Sequence, residues 1–512
     1  MNRTIKNSHV VGVDLGTTNT VLAFFDDTGK SRVIPNVDGE MLTPSIVHVG
    51  PGGKEILVGT AAKHMMLLEP KRTFKEVKRD VATDKIYLKE DGLEITPESC
   101  QAEILRFMRQ SAIKYFGDER AASRMVVTVP ADFGEKARQS VVRSINQAGA
   151  ECIQLINEPT AAGLAYGLSD KQGDRLVLVT DFGGGTFDAS LIAYAGGQAT
   201  VLASQGDKAL GGKNVDDILL RLVCDAFKKE HSLEVTPNSH PAEYLRLWEE
   251  VIRQKHMLAS RTEVKIVARV ESKQVIVPIT RPLLAELNKS LMERIDKIVQ
   301  STIQNAKAEI SEISHVLFIG GSTRLVPFQA LMTGIFGKER LFGGSVSPDW
   351  AVAEGAVIHA VKVEAAQGKT VVNEALQSIP APAIDHVDVT AHSLGVAVQD
   401  RVSSARYCSV LLERNTPIPC QISKQYASLA DDQTRFKVTV LQGESDQRLE
   451  DCLIVGEREL HFPARKHTEP SFEVTMAYNP SGMVQVAVKD LVSQKIEDIT
   501  VRFFGSQNSS KN

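Results

Sequence analysis

Two stretches of this chain share one unusual design. The apolar run Val10-Val11-Gly12-Val13 stops at Asp14-Leu15-Gly16-Thr17-Thr18-Asn19-Thr20, and Leu176-Val177-Leu178-Val179-Thr180 stops at Asp181-Phe182-Gly183-Gly184-Gly185-Thr186-Phe187-Asp188. A β-branched run reads as a buried strand, and the glycines that follow let the backbone turn tightly and approach a ligand. The threonines add hydroxyl donors, so each loop has the chemistry a nucleotide tail requires. Asp14 and Asp181 stand a domain's length apart along the chain. The repetition predicts a duplicated lobe, with phosphates and a metal ion held between two acids in a cleft.

The 512 residues allow two or more domains with sizeable cores. A net charge of −4 and the absence of a long basic run exclude an electrostatic case for nucleic acid or an anionic membrane. The first nine residues hold no apolar segment of the secretory type, and no stretch approaches a membrane span, so a cytoplasmic location is expected. Six cysteines without Cys-x-x-Cys spacing point to reduced structural thiols rather than zinc.

Through the first two thirds, strands alternate with helices, the pattern of α/β lobes. Short strands are expected at 33–36 and 43–49, and helices at 98–116, 135–148, 241–260 and 282–306. The basic segment 71–79 reads on its own as a solvated helix face. Met125-Val126-Val127-Thr128-Val129 is a strand stopped by Pro130; another, Cys152-Ile153-Gln154-Leu155-Ile156, runs into Asn157-Glu158-Pro159, a helix start at which Glu158 complements the helix dipole. A third glycine turn, Gly320-Gly321-Ser322-Thr323-Arg324, follows His315-Val316-Leu317-Phe318-Ile319. Its backbone suits the flat face of a base or ribose, with Arg324 stacking or pairing nearby.

From Thr370 the composition shifts, and Ile379-Pro380-Ala381-Pro382-Ala383 reads as a connector. Beyond it the period is two, as in Leu394-Gly395-Val396-Ala397-Val398, Phe436-Lys437-Val438-Thr439-Val440-Leu441 and Val484-Gln485-Val486-Ala487-Val488. This is an all-β domain of ordinary size. The expected organisation is a nucleotide-binding domain at 1–382, a linker at 383–389, a β domain at 390–504 and a disordered tail at 505–512.

With these loops placed, the chain resembles the DnaK-type seventy-kilodalton heat-shock chaperones over nearly its whole length. The resemblance rests on residues 14–19 and 181–188 as the two phosphate loops, Asn157-Glu158-Pro159-Thr160-Ala161-Ala162 as the connecting segment, 320–324 as the adenosine loop, and Leu441-Gln442-Gly443-Glu444 in the substrate domain. Glu413-Arg414-Asn415-Thr416 is similar to the HscC-like branch. The resemblance implies an actin-like two-lobed ATPase domain, α/β in class, followed by a small all-β sandwich.

It also implies roles. Lys78 falls at the family's catalytic lysine, beside the γ-phosphate, where an ammonium offsets developing charge. Gly16, Thr17, Thr18, Asn19, Gly183, Gly184, Gly185 and Thr186 would cradle the phosphates of ATP or ADP. Asp14 and Asp181 would hold Mg2+ through its waters. Glu158, together with Asp188, would orient the hydrolytic water or bind K+, and Asp188 joins the metal set. Lys255, Gly320, Gly321, Ser322, Arg324 and Asp349 would line the adenosine side. A peptide cleft maps onto Val396, Val398, Tyr426, Leu429, Phe436, Val438 and Met483, for which ordinary core packing is the competing reading. Unfolded polypeptides, a J-type co-chaperone and a nucleotide-exchange factor are the implied partners.

Several positions depart from the family. The adenosine helix carries Ile252, Lys255, His256 and Ala259, of which the lysine alone is kept, so fewer adenine contacts are expected. Asp132 adds negative charge near the phosphates, and Lys213-Asn214 replaces an acidic pair. The linker, Ile384-Asp385-His386-Val387-Asp388, has polar residues where apolar docking is usual, which weakens the expected coupling. No helical lid is read after residue 504, which implies fast peptide release. The leading expectation is an ATP-dependent chaperone; the alternatives are a nucleotide-gated module for one dedicated partner and a sugar kinase.

Overall fold

The computed structural model of the chain describes residues 4–499 except 91, 132, 167–173, 196–197, 343–346, 373–376, 379–384, 391, 400–404, 415, 444–447, 462, 465 and 467–468. Asp132, Ile384, Asn415, Glu444 and the tail from residue 500 therefore lie outside the described residues, as does the place where a lid would follow.

Two sheets repeat one topology. In the first, the order is Glu151–Asn157, Arg124–Val129, Val10–Leu15, Asn19–Phe25, Ser31–Ile34, with Thr43–Pro44 added on Asn19–Phe25. In the second it is Leu341–Phe342, Ile313–Ile319, Arg175–Phe182, Phe187–Ala195, Gln198–Asp207. Both run parallel, parallel, antiparallel, antiparallel across the corresponding neighbours. Each glycine-rich phosphate loop occupies the same place, the hairpin turn between the first two strands of its repeat. The duplicated lobe expected from the two loops is thus a duplicated sheet.

Near-continuous apolar strands need cover on both faces, and the helices supply it. Pro97–Phe116 and Glu135–Gln147 pack on the first sheet, and Gly212–His231 and Lys289–Asn305 on the second. Between the lobes, Ala351–Ala366 crosses Glu158–Ala165 so closely that a Cβ on Gly355 would lie 1.6 Å from the Ala161 carbonyl oxygen. Only a residue without a side chain fits that crossing.

The C-terminal region is two antiparallel four-stranded sheets. One has the order Arg406–Leu412, Leu394–Gln399, Arg435–Gln442, Leu453–His461; the other Cys420–Ala427, Pro470–Tyr478, Val484–Asp490, Ile496–Ile499. Their inner faces share a core that includes Leu412, Val440, Val455, Val474, Met476 and Val488. Asp385–Val389, within the polar stretch read as a linker, pairs in parallel with Gln198–Asp207 and extends the second lobe's sheet; Pro417–Ile418 pairs in turn with it. Edge pairing uses backbone groups, so polar side chains do not prevent it.

Candidate nucleotide cleft and peptide groove

The strand ends determine what meets in the cleft. Asp14 ends Val10–Leu15, Asp181 ends Arg175–Phe182, Glu158 opens the helix after Glu151–Asn157, and Gly320 follows Ile313–Ile319. Together with Gly16, Thr17, Thr18, Asn19, Gly183, Gly184, Thr186, Gly321 and Asp349 they line one cavity, into which Lys78 also projects. The two phosphate loops touch: a Cβ on Gly184 would lie 1.9 Å from the Thr18 hydroxyl oxygen. Gly320, at φ +79°, takes the left-handed region that favours glycine, and the chain there turns back against Phe182. Ser322 ties this turn to the second loop by donating to the Gly183 carbonyl at 2.8 Å.

Lys78 is not a solvated helix residue. It sits in the short turn Val77–Asp80, 6% exposed, and its ammonium forms a buried ion pair with Glu158. Burial disfavours its charge, but the carboxylates of Glu158, Asp14 and Asp181 outweigh that and raise its pKa. The acids' pKa values move upward as well. Burial, then the Glu158 charge, pushes Asp14 up to about 7, with Lys78 and the Thr128 hydroxyl opposing; Asp181 is likewise raised by burial and by Glu158 and Asp14. Three carboxylates facing one ammonium make a site short of positive charge, and a divalent cation fits it. Among the described residues no three His, Cys, Asp or Glu side chains converge closely enough to grip an ion directly.

Not every expected residue lines the cavity. Asp188 faces Asp181 across the hairpin but is buried on the neighbouring strand, outside the lining. Gly185 lies behind the loop, its carbonyl accepting from Arg79. Lys255 is buried in an ion pair with Asp216 at 2.7 Å and donates to the Gly212 carbonyl at 3.3 Å. Arg324 is held in a two-pronged pair with Asp349 at 3.1 and 2.7 Å. His256 stands close by, its pKa lowered by burial and then by the charges of Lys255 and Arg324.

The chain order hid a bridge between the lobes. Glu76, in a left-handed conformation at φ 56°, pairs with Lys213 of the second lobe at 2.9 Å and with Arg79 at 3.2 Å. Lys75 adds a contact over the Trp248 ring at 3.8 Å. Lys213 therefore serves lobe-to-lobe contact, while Asn214 accepts from the Gly211 N–H at 2.8 Å.

In the β region a groove of about 770 Å³ opens between the sheets. Val396, Val398, Tyr426, Leu429, Phe436 and Val438 all line it. Val396, Phe436 and Val438 are also buried core members, so groove and core share a wall. The Tyr426 and Ser409 hydroxyls meet at 3.2 Å across the two sheets. Met483 does not join them. It follows the 479–482 turn, which docks instead on the first lobe.

That docking is polar. Val484 N–H donates to Glu135 Oε2 at 2.7 Å, Arg138 Nη1 to the Ser481 carbonyl at 3.1 Å, Gln154 Nε2 to the Pro480 carbonyl at 2.9 Å, and Leu155 N–H to Ser481 Oγ at 3.3 Å. On the other lobe Arg414 Nη2 donates to the Ser204 carbonyl at 2.8 Å. Burial raises the Glu135 carboxyl to about 7, against the hydrogen bonds from Val484 and Gln139.

Known proteins resemble this chain over most of its length. The family model described as Hsp70 protein matches residues 10–86 and 81–512. The chain is 35% identical to the chaperone protein DnaK of Thermotoga neapolitana and to that of Thermosipho africanus, in each case over 505 residues, covering 97% of this chain and 80% of the relative. It is 34% identical to the chaperone protein DnaK of Thermosipho melanesiensis over the same shares.

Proposed function

Taking as premise that the chain belongs to the Hsp70 family of chaperone ATPases, we propose that it hydrolyses ATP between its lobes and, through the docked β region, changes its grip on extended apolar segments of unfolded polypeptides. The observation that carries this reading is the convergence of both phosphate loops, Asp14, Asp181, Glu158 and Lys78 on one cavity. Lys78 is assigned to the γ-phosphate: once a nucleotide is bound, its ammonium is placed to offset charge developing on the transferred group. Glu158, already paired with Lys78, is assigned to orienting the attacking water, and Thr186 to the same end of the phosphate chain. Glycine N–H groups and the Thr17 and Thr18 hydroxyls hold the remaining phosphates.

Asp14 and Asp181 are assigned to the magnesium waters. Magnesium, when bound, neutralises charge on the phosphate oxygens. Potassium beside Asp188 belongs to the same proposal. Residues 1–382 form the nucleotide-binding domain, 383–389 the linker and 390–504 the peptide-binding domain. Val396, Val398, Tyr426, Leu429, Phe436 and Val438 are the peptide-contacting set, and Arg324 with Asp349, Lys255 and Ser322 frames the adenosine. The likeness of Glu413-Arg414-Asn415-Thr416 to the HscC-like branch supports reading the chain as a member of that branch, with a J-type co-chaperone and an exchange factor as partners and the cytoplasm as its location. Among the described residues no helix is long and apolar enough to cross a membrane. The reading as a module for a single dedicated partner gains no support from relatives that are all chaperones.

Single-turnover hydrolysis of ATP tests the reading. The wild-type chain should turn over slowly and Lys78→Ala roughly a hundredfold more slowly, the usual loss when one fixed charge is removed from a transition state. Equal rates would overturn the assignment of Lys78.

A further inference from the structure

We infer that the β-sandwich groove selects extended segments whose apolar anchor is flanked by acidic side chains. The inference rests on the reading of the groove as the peptide site and adds the chemistry of what it takes. The inner wall is apolar, built by Val396, Phe436, Val438 and Phe472. It suits one buried aliphatic or aromatic side chain, while the charges stand on the exposed parts of the lining.

Those charges have one dominant sign. Arg406, Lys424, Arg435 and Lys437 line the groove, against Glu459 as the single acidic side chain among the described lining residues. Lys437 is answered by Glu457 at 2.9 Å. Arg406, Lys424 and Arg435 have no ion pair among the described residues, although the charge of Arg406 is felt by Glu457; Lys424 Nζ reaches the Ser409 hydroxyl at 3.1 Å and stands 6.0 Å from the centre of the Tyr426 ring. Asp431 and Asp432 occupy the neighbouring loop but do not line the groove. The chain as a whole is acidic, at −4, so a cationic lining is not its general surface character.

An extended peptide bound in the groove would bring the residues beside its anchor close to this rim. Carboxylates there meet three cations that form no ion pair among the described residues, while lysines or arginines meet like charge. Selection therefore comes from repulsion of one flank chemistry as much as from attraction of the other. The apolar wall supplies a contact common to every client.

The test measures fluorescence anisotropy on the full 512-residue chain in ADP. Three labelled peptides share one leucine-centred core and differ in flanks of two aspartates, two serines or two lysines on each side. The acidic peptide should bind roughly tenfold more tightly than the basic one at low ionic strength, with serine between, because several exposed pairs each contribute a few-fold. The spread should shrink as salt rises. Lys424→Glu together with Arg435→Glu should invert the order; the salt series needs no variant. Equal affinities, or a basic preference, would overturn the charge selection and leave the groove intact as the peptide site. If none of the three peptides binds, the peptide-site reading falls, and this inference with it.

Discussion

The contact between the first lobe and the β region turns on Glu135, and its removal has a calculable effect. In Glu135→Ala the Val484 N–H loses its acceptor at a buried junction. Leaving a buried donor without its acceptor costs about 1–3 kcal/mol, so the undocked fraction should rise by about one to two orders of magnitude. The loss is partly offset by solvent reaching the freed amide. Hydrogen exchange measured by mass spectrometry reads this directly, because the Val484 amide is itself the donor. Protection across 479–486 should drop at least tenfold in the variant. The strand Leu453–His461 should be unchanged, since it belongs to the sheet that does not contain Val484. Undiminished protection at Val484 would refute the hydrogen bond as a determinant of docking.

Further expectations follow from the same geometry. Glu135 holds its proton up to about 7 when docked, against an ordinary value of 4.5, so the docked form binds the proton more tightly. Docking should therefore be firmest below pH 4.5 and weaken as pH rises to 7, by at most about 3 kcal/mol, with little change above that; Glu135→Gln should flatten the slope in the same exchange assay. Lys78→Ala leaves Glu158, Asp14 and Asp181 without their cation, and nucleotide-free stability should fall by about 3 kcal/mol in urea titration, less where magnesium and ADP are present. Gly355→Ala forces the helix crossing apart against the Ala161 backbone and should destabilise the chain by about 2 kcal/mol or more in thermal unfolding. Lys213→Glu sets like charges against Glu76 and should raise the nucleotide dissociation rate severalfold by stopped-flow measurement.

The parts of this protein visible in its sequence are those with local signatures. A strand ending in acid, glycine and threonine needs no distant partner to be recognised, and helix periodicity placed Pro97–Phe116 and Glu135–Gln147 within a residue. The hairpin Glu263–Val270 with Lys273–Thr280 alternates buried and exposed residues and lay within reach of the same argument, although no strand was read there. Asn288, at φ −105° and ψ 12°, leaves the helical backbone and divides the helix expected over 282–306 into Arg281–Leu287 and Lys289–Asn305, its side-chain amide donating to the same Leu284 carbonyl that its backbone N–H meets. Cys420–Ala427 is an edge strand with mostly exposed side chains, so no apolar alternation marks it.

What stayed hidden depends on residues far apart in the chain. Neither Glu76 with Lys213 nor Glu135 with Val484 has a local pattern, because nothing in either partner's own stretch of chain points to the other. Polarity at Asp385–Val389 suggests weak docking, yet a strand pairs through its backbone, which side-chain hydropathy does not report. Met483 was misplaced for a related reason. A methionine beside a β-turn gives no sign of which end of the sandwich it occupies.

The central claim is that one chain links the nucleotide cleft to the peptide groove through the docked β region. The direct measurement is the dissociation rate of a labelled peptide from the full-length protein, mixed with ATP or with ADP in excess unlabelled peptide. The account predicts faster release in ATP, with the acceleration reduced in Glu135→Ala. Identical rates in the two nucleotides would contradict it.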